Sequence, residues 1–302
     1  MTAAGKKTTR TTKLTPRGAA GAAADGQRPG RIEPSAELKE LMRRLKLGRL
    51  LDTLPERLAL ARTGALAHHD FLEMLLADEV TRRDRQAAQL RAQKAGLDPA
   101  MVLEAWDDTT GVAFDRALWS ELCSLRFLAD AHNAMIMGPV GVGKTFLASA
   151  LGHAAVRRKH SVVFERADKM FKRLRGARLD ATYDDEMRRL QRVELLILDD
   201  LALHPLGATE TSAFYELVVE RHRVASTITT SNRDPAEMVT MMADPLLAQS
   251  AIDRLQSAAY ELVVEGQSYR QRQKPALAAS TNSAHDRTDN PPRTDIGPTA
   301  DP

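Results

Sequence analysis

Gly138-Pro139-Val140-Gly141-Val142-Gly143-Lys144-Thr145 is the stretch from which the rest of this 302-residue chain can be read. It fits the pattern Gly, four residues, Gly-Lys-Ser/Thr, which forms a phosphate cradle where a strand turns into a helix. The flanks supply that context. Ala134-Met135-Ile136-Met137 is a short apolar run that predicts a buried parallel strand, and Phe146, Leu147, Ala150, Leu151 and Ala154 recur at helical spacing. Gly141 and Gly143 carry no Cβ, so backbone N–H groups can close around phosphate oxygens. The helix that follows points its positive end at the same anion. Lys144 is placed to reach the β- and γ-phosphates, and the Thr145 hydroxyl to ligate Mg²⁺. An ordinary glycine turn is the simpler alternative. The strand on one side and the helix on the other favour a loop that binds a nucleoside triphosphate.

A second run, Val193-Glu194-Leu195-Leu196-Ile197-Leu198-Asp199-Asp200, predicts an apolar strand ending in two carboxylates. Asp199 would hold Mg²⁺ opposite Thr145, and Asp200, one residue on, would polarise the attacking water. A buried strand with a solvated acidic turn explains this run alone; it explains less once the phosphate loop precedes it. Ala225-Ser226-Thr227-Ile228-Thr229-Thr230-Ser231-Asn232 predicts a β-branched strand with a polar tip. Parallel strands deliver their C-terminal ends to one rim, which puts Asn232 beside the γ-phosphate. A plain turn before Arg233-Asp234-Pro235 is the competing reading of Asn232.

Between these runs, Ser161-Val162-Val163-Phe164-Glu165 predicts another strand, followed by a helix over 167–179 with Met170, Phe171 and Leu174 inward. Lys169, Lys172, Arg173 and Arg175 are expected to project from it. They suit either a solvated face or the phosphate backbone of DNA. A helix over 206–223, a Met-rich loop or short helix over 238–247 and a helix ending at Ala251-Ile252-Asp253-Arg254-Leu255 come next. Tyr260-Glu261-Leu262-Val263-Val264 makes the last strand. Upstream, Phe114, Leu118, Leu122, Leu125 and Leu128 are read as helical core.

The expected domain plan is a basic disordered tail at 1–34, a helical partner-binding domain at 35–97 and a linker at 98–112. The α/β domain occupies 113–273 and a polar disordered tail 274–302. Lys+Arg 43 against Asp+Glu 40 leaves a net charge of +3, too small to argue for nucleic acid by itself. No apolar run approaches the ~20 residues of a membrane helix, and the basic N-terminal stretch lacks the apolar core of a secretory signal, so export is not expected. With Cys123 the only cysteine, a disulfide framework is excluded and a cytoplasmic protein expected.

Taken together, the phosphate loop, the acidic strand end, Thr230-Ser231-Asn232-Arg233, Asp253-Arg254-Leu255 and Gly266-Gln267-Ser268-Tyr269-Arg270 resemble the AAA+ ATPases. More narrowly they resemble the IstB-like ATP-binding family of transposition helpers, which is related to DnaC-type helicase loaders. The resemblance spans about 35–275. It implies a three-layer P-loop α/β core around a central parallel sheet, preceded by a small all-helical domain. It also implies ATP and Mg²⁺ as cofactors, assembly of several copies on DNA with ATP, and recruitment or stimulation of a transposase. By the same resemblance Asn232 is sensor one and Arg254 an arginine finger for a neighbouring subunit. One departure is that little chain follows Arg270 for a helical lid, so no lid-borne second sensor is expected. A replicative helicase loader is the alternative partner reading. A DNA clamp without turnover or a small-molecule kinase fits the residues less well.

Overall fold

Apolar runs of about five residues, each followed by a helical segment, should build parallel strands buried on both faces. The computed structural model describes residues 34–107 and 111–268. In it β1 (Asn133–Met137), β2 (Val162–Arg166), β3 (Leu195–Asp199), β4 (Ser226–Ser231) and β5 (Ala259–Val263) form one sheet in the order β2-β3-β4-β1-β5. All four pairings are parallel. Every residue of β1, β3 and β4 is buried, so both faces of the central strands must be covered by helices.

Two apolar layers do this. On one face Met135, Met137, Leu196 and Leu198 pack with Met170, Phe171 and Leu174 of α7 (Ala167–Leu179), Phe214 and Leu217 of α9 (Ala208–Arg221), and Ile252 and Leu255 of α11 (Pro245–Gln256). On the other, Ala134, Ile136, Leu195, Ile197 and Ile228 meet Leu147, Leu151 and Ala155 of α6 (Lys144–Arg157) and Leu122 of α4 (Arg116–Ser124). The three-layer α/β class expected from the sequence is the one that forms.

Arg221, at the end of α9, is 2% exposed and makes no ion pair among the described residues. Its guanidinium donates to the Leu190 and Val193 carbonyls (2.8 Å each), to Gln191 and Ser226, and to Thr227 Oγ1. It thereby closes the C-terminal end of α8 (Tyr183–Arg192), whose last carbonyls would otherwise be orphaned. Burial pulls its pKa down to about 10.

The chain divides into two compact units at Arg83 and Asp84. In the first, α1 (Ala36–Arg44) is capped by Ser35, whose Oγ accepts from the Leu38 N–H at 3.1 Å. Met42, Leu50 and Leu54 of α1 and α2 (Leu50–Thr63) pack with Leu75 of α3 (His68–Lys94). Arg57 binds Asp78 at 2.7 Å, and Arg82 and Arg83 both hold Glu79. Leu38, Leu41 and Leu45 remain exposed, although their spacing marks them as a core stripe.

The division falls inside α3, earlier than the boundary at 97 read from the sequence. Ala92, Ala95 and Leu97 are buried in the core of the second unit. The stretch read as a linker is also built in. His153 hydrogen-bonds the Asp98 carbonyl at 2.8 Å, and Leu103 and Trp106 pack on that same core. Apart from Pro34, the expected tails at 1–34 and 274–302 lie outside the described residues, as do Tyr269 and Arg270. Among the described residues no helix is long and apolar enough to cross a membrane.

Candidate active site

Parallel strands place their C-terminal ends on one rim, and side-chain alternation decides what arrives there. Ala134 and Ile136 of β1, Leu195 and Ile197 of β3, and Ile228 of β4 all face α6. Two residues beyond the last of these on each strand stand Gly138, Asp199 and Thr230. Because β4 lies between β1 and β3, Thr230 comes between the glycine loop and the acidic strand end.

The loop itself needs glycine. Gly138 has φ 149°, and a Cβ there would collide with the Val264 carbonyl, which follows β5 across the loop. Gly143 caps α6 in the left-handed region (φ 97°), with the Trp106 ring 3.0 Å from where a Cβ would stand. Trp106 also packs on Phe146, ring centroids 5.3 Å apart. With Leu103, Arg116, Trp119 and Leu147 these side chains line a cavity of about 280 Å³ beside the loop.

Lys144 begins α6 and is 7% exposed. Its Nζ donates to the carbonyls of Gly138 and Pro139, both at 2.7 Å, so the cation is folded over the loop. Thr145 Oγ1 donates to Asp199 Oδ1 at 2.8 Å, and Thr230 Oγ1 donates to the same oxygen at 2.6 Å. Burial pushes the Asp199 carboxyl above its ordinary pKa, against the opposite pull of the two hydroxyls. Thr145 and Asp199 together are a hard-oxygen pair of the kind Mg²⁺ takes from protein while substrate phosphates fill the rest of its shell.

Asp200 is half-buried and sits in the left-handed region at φ 56°. Its N–H donates to Thr230 Oγ1 at 2.9 Å, and its carboxylate lies 3.8 Å from Arg166, the last residue of β2. The rim therefore brings together Lys144, Thr145, Asp199 and Asp200. The loop residues Pro139 and Val140 are exposed, while Val142 is buried beneath them. Asn232 is exposed just past β4, next to Ser231, whose carbonyl accepts from the Gly138 N–H at 3.2 Å. Arg254 does not join the rim. It bonds to the Ser250 carbonyl at 2.8 Å and lies over the Tyr215 ring at 5.8 Å.

The basic helix differs from its expectation. Lys169 and Lys172 are exposed, but Arg173 turns inward to Glu165 (2.9 Å) and Glu186 (2.8 Å). Arg175, although largely exposed, is paired with Glu210. Arg173 is thus part of a carboxylate network rather than an outward-facing cation, because α7 packs beside acids from β2 and α8. The sequence reading assigns no rim role to Thr230, which enters it only within the β-branched strand and the Thr230-Ser231-Asn232-Arg233 motif, or to Arg166. Strand alternation in phase with Asp199 carries the signal for Thr230, and position at the tip of β2 the signal for Arg166.

The family model described as IstB-like ATP binding protein matches residues 40–276. An ATP-binding protein of an insertion sequence from Mycobacterium tuberculosis is 35% identical over 80% of this chain and 97% of its own length. An IS21 ATP-binding protein of Pseudomonas aeruginosa is 34% identical over 79% of this chain and 90% of its own. Among solved structures, a DnaC helicase loader aligns with a TM-score of 0.44 and 19% identity, covering 50% of this chain and 89% of that one. With a phosphate loop, a lysine and two acids gathered at one rim and a family match across most of its length, the chain belongs to the IstB-like ATP-binding family and is an ATPase.

Proposed function

We propose that this ATPase is a transposition helper: a DNA-dependent enzyme that assembles on target DNA with ATP and recruits or stimulates a transposase. The observation that carries this reading is that relatives at 35% and 34% identity, aligned over nearly all of their own length, are ATP-binding proteins of insertion sequences.

In this reading the triphosphate lies along 138–145. Lys144 exchanges its bonds to the Gly138 and Pro139 carbonyls for β- and γ-phosphate oxygens, a charge-assisted contact in a nearly buried position. Asp200 accepts a hydrogen bond from the attacking water and polarises it. Asn232, at the open end of β4, orients the γ-phosphate. Arg254, held by Ser250 and Tyr215 in its own chain, is offered to a neighbouring copy's nucleotide. Mg²⁺ held by Thr145 and Asp199 would supply neutralisation of phosphate charge. The base has room in the aromatic cavity beside Trp106.

DNA contact falls to Lys169 and Lys172, exposed on the helix that starts from the same rim. Partner contact falls to the helical unit, whose exposed Leu38, Leu41 and Leu45 form one stripe. The test is binding of unrelated duplexes at several salt concentrations with a non-hydrolysable ATP analogue, for wild type and Lys169→Glu/Lys172→Glu. The double variant should bind more weakly on every duplex, with the salt slope reduced by roughly 0.9 for each phosphate no longer neutralised. A transposase of an IS21-type insertion sequence should be retained on the ATP-loaded protein, and less so on Leu41→Ser/Leu45→Ser. An ATPase rate indifferent to DNA would remove the DNA-dependent part. Retention of a replicative helicase in place of the transposase would turn the reading to helicase loading.

A further inference from the structure

We infer that Thr230 is a positioning residue of the ATPase reaction: its one hydroxyl fixes both rim acids at once. The inference rests on the reading of Asp199 and Asp200 given above and assigns a role to a side chain outside that reading. Thr230 is fully buried. Its Oγ1 gives its proton to Asp199 Oδ1 at 2.6 Å and receives the Asp200 N–H at 2.9 Å. The Thr230 carbonyl accepts the next N–H, that of Leu201, at 2.8 Å. Main chain and side chain of one residue therefore hold the whole turn 199–201.

The turn needs holding. Asp200 occupies the left-handed region, which residues with a Cβ adopt only where neighbouring groups hold them there. Asp199 would otherwise rotate freely about its last torsion, which has a broad, two-fold profile. With Thr230 and Thr145 both donating to Oδ1, the carboxylate is held in one orientation beside the phosphate loop. Thr230→Val keeps the shape and removes the hydroxyl, leaving Oδ1 with one of these two donors and the Asp200 N–H without this acceptor. Thr230→Ser keeps both bonds. The pairing is specific to the Oγ: Thr229, its neighbour on the opposite face, is equally buried, yet its hydroxyl has no hydrogen-bond partner among the described residues.

The experiment compares Thr230→Val, Thr230→Ser and Thr229→Val with wild type in three measurements. These are thermal unfolding, affinity for a fluorescent ATP analogue over a Mg²⁺ titration, and single-turnover hydrolysis. Thr230→Val should bind the analogue without Mg²⁺ as wild type does. It should need at least about five-fold more Mg²⁺ for half-maximal enhancement and should hydrolyse at least ten-fold more slowly. Thr230→Ser should recover most of both. Thr229→Val should match wild type in Mg²⁺ demand, since its hydroxyl takes no part in the turn. A folded Thr230→Val with wild-type Mg²⁺ demand and rate overturns the proposal, as does a folded Thr230→Ser that is equally impaired. If Thr230→Val is unfolded, Thr230→Ser against Thr230→Ala decides on the same two readouts. Lys144→Ala is included as control. Retained nucleotide affinity there would mean that the site reading itself has failed, a result distinct from failure of the Thr230 role.

Discussion

Arg173 and Lys172 are neighbours on α7, and charge reversal at the two positions should have different consequences. The Arg173 side chain is 35% exposed and bonds Glu165, 15% exposed, and Glu186, 28% exposed. Arg189 bonds the same two carboxylates at 2.8 and 3.3 Å. Breaking a fully buried pair by removing one partner costs about 3–5 kcal/mol, whereas an exposed pair is worth about 0–1. A network screened by solvent to this extent falls between, so Arg173→Met should cost about 1–2 kcal/mol. Arg173→Glu should cost more, because Arg189 is then left to serve three carboxylates. Burial favours the neutral form of Glu165, yet hydrogen bonds from Arg173 and Arg189 outweigh it and hold its pKa below the ordinary value. The network's contribution is therefore present at neutral pH and lost as pH falls through that depressed value. Lys172→Glu makes the same change in net charge on an exposed position and should shift stability by no more than about 0.5 kcal/mol. Urea unfolding at neutral pH reads both, with DNA affinity measured on the folded variants. Equal stability of Arg173→Glu and Lys172→Glu would refute the network, and loss of DNA binding in Arg173→Met without loss of stability would return Arg173 to the DNA face.

Lys144→Ala should weaken ATP binding roughly 10–150-fold, the equivalent of one hydrogen bond to a charged group at about 1.5–3 kcal/mol, read by calorimetry. Arg254→Ala mixed with Lys144→Ala should regain part of the activity neither has alone, since a mixed assembly pairs an intact pocket with an intact finger; no rescue in assemblies shown to be mixed would count against action between subunits. Glu79 is drawn down to about 2 from 4.5, chiefly by its hydrogen bond from Arg82. A lowered folded pKa means stability present above the unfolded value and lost as pH falls toward 2, so Glu79→Gln should flatten that acid limb in circular dichroism of the helical signal.

The strands and the phosphate loop were legible because each is a local pattern: a short apolar run, then glycines, then helical spacing. The acids were legible because they end such a run. Arg173 was misread because a lone run of cations does not reveal acids supplied by other elements, here Glu165 from β2 and Glu186 from α8. Helix α8 itself went unread. It carries only Met187 and Leu190 as buried residues among charged ones, too few to set a period. The segment 98–112 looked like a connector because Pro99 and Gly111 punctuate it; Trp106 is anchored by Phe146 and Gly143, which are remote in sequence. Thr230 lay hidden among the hydroxyls of β4, where only the register with β3 distinguishes it from Thr229.

The most direct test of the account is hydrolysis of MgATP by wild type and Asp200→Asn, with and without duplex DNA, alongside nucleotide affinity for both. Asn keeps the shape and removes the charge that polarises water, and loss of a positioned base costs typically 10²–10⁴-fold. The account predicts equal binding of MgATP, hydrolysis reduced by at least about 10²-fold in the variant, and stimulation by DNA only where Asp200 is intact. Wild-type turnover by a folded Asp200→Asn would contradict it.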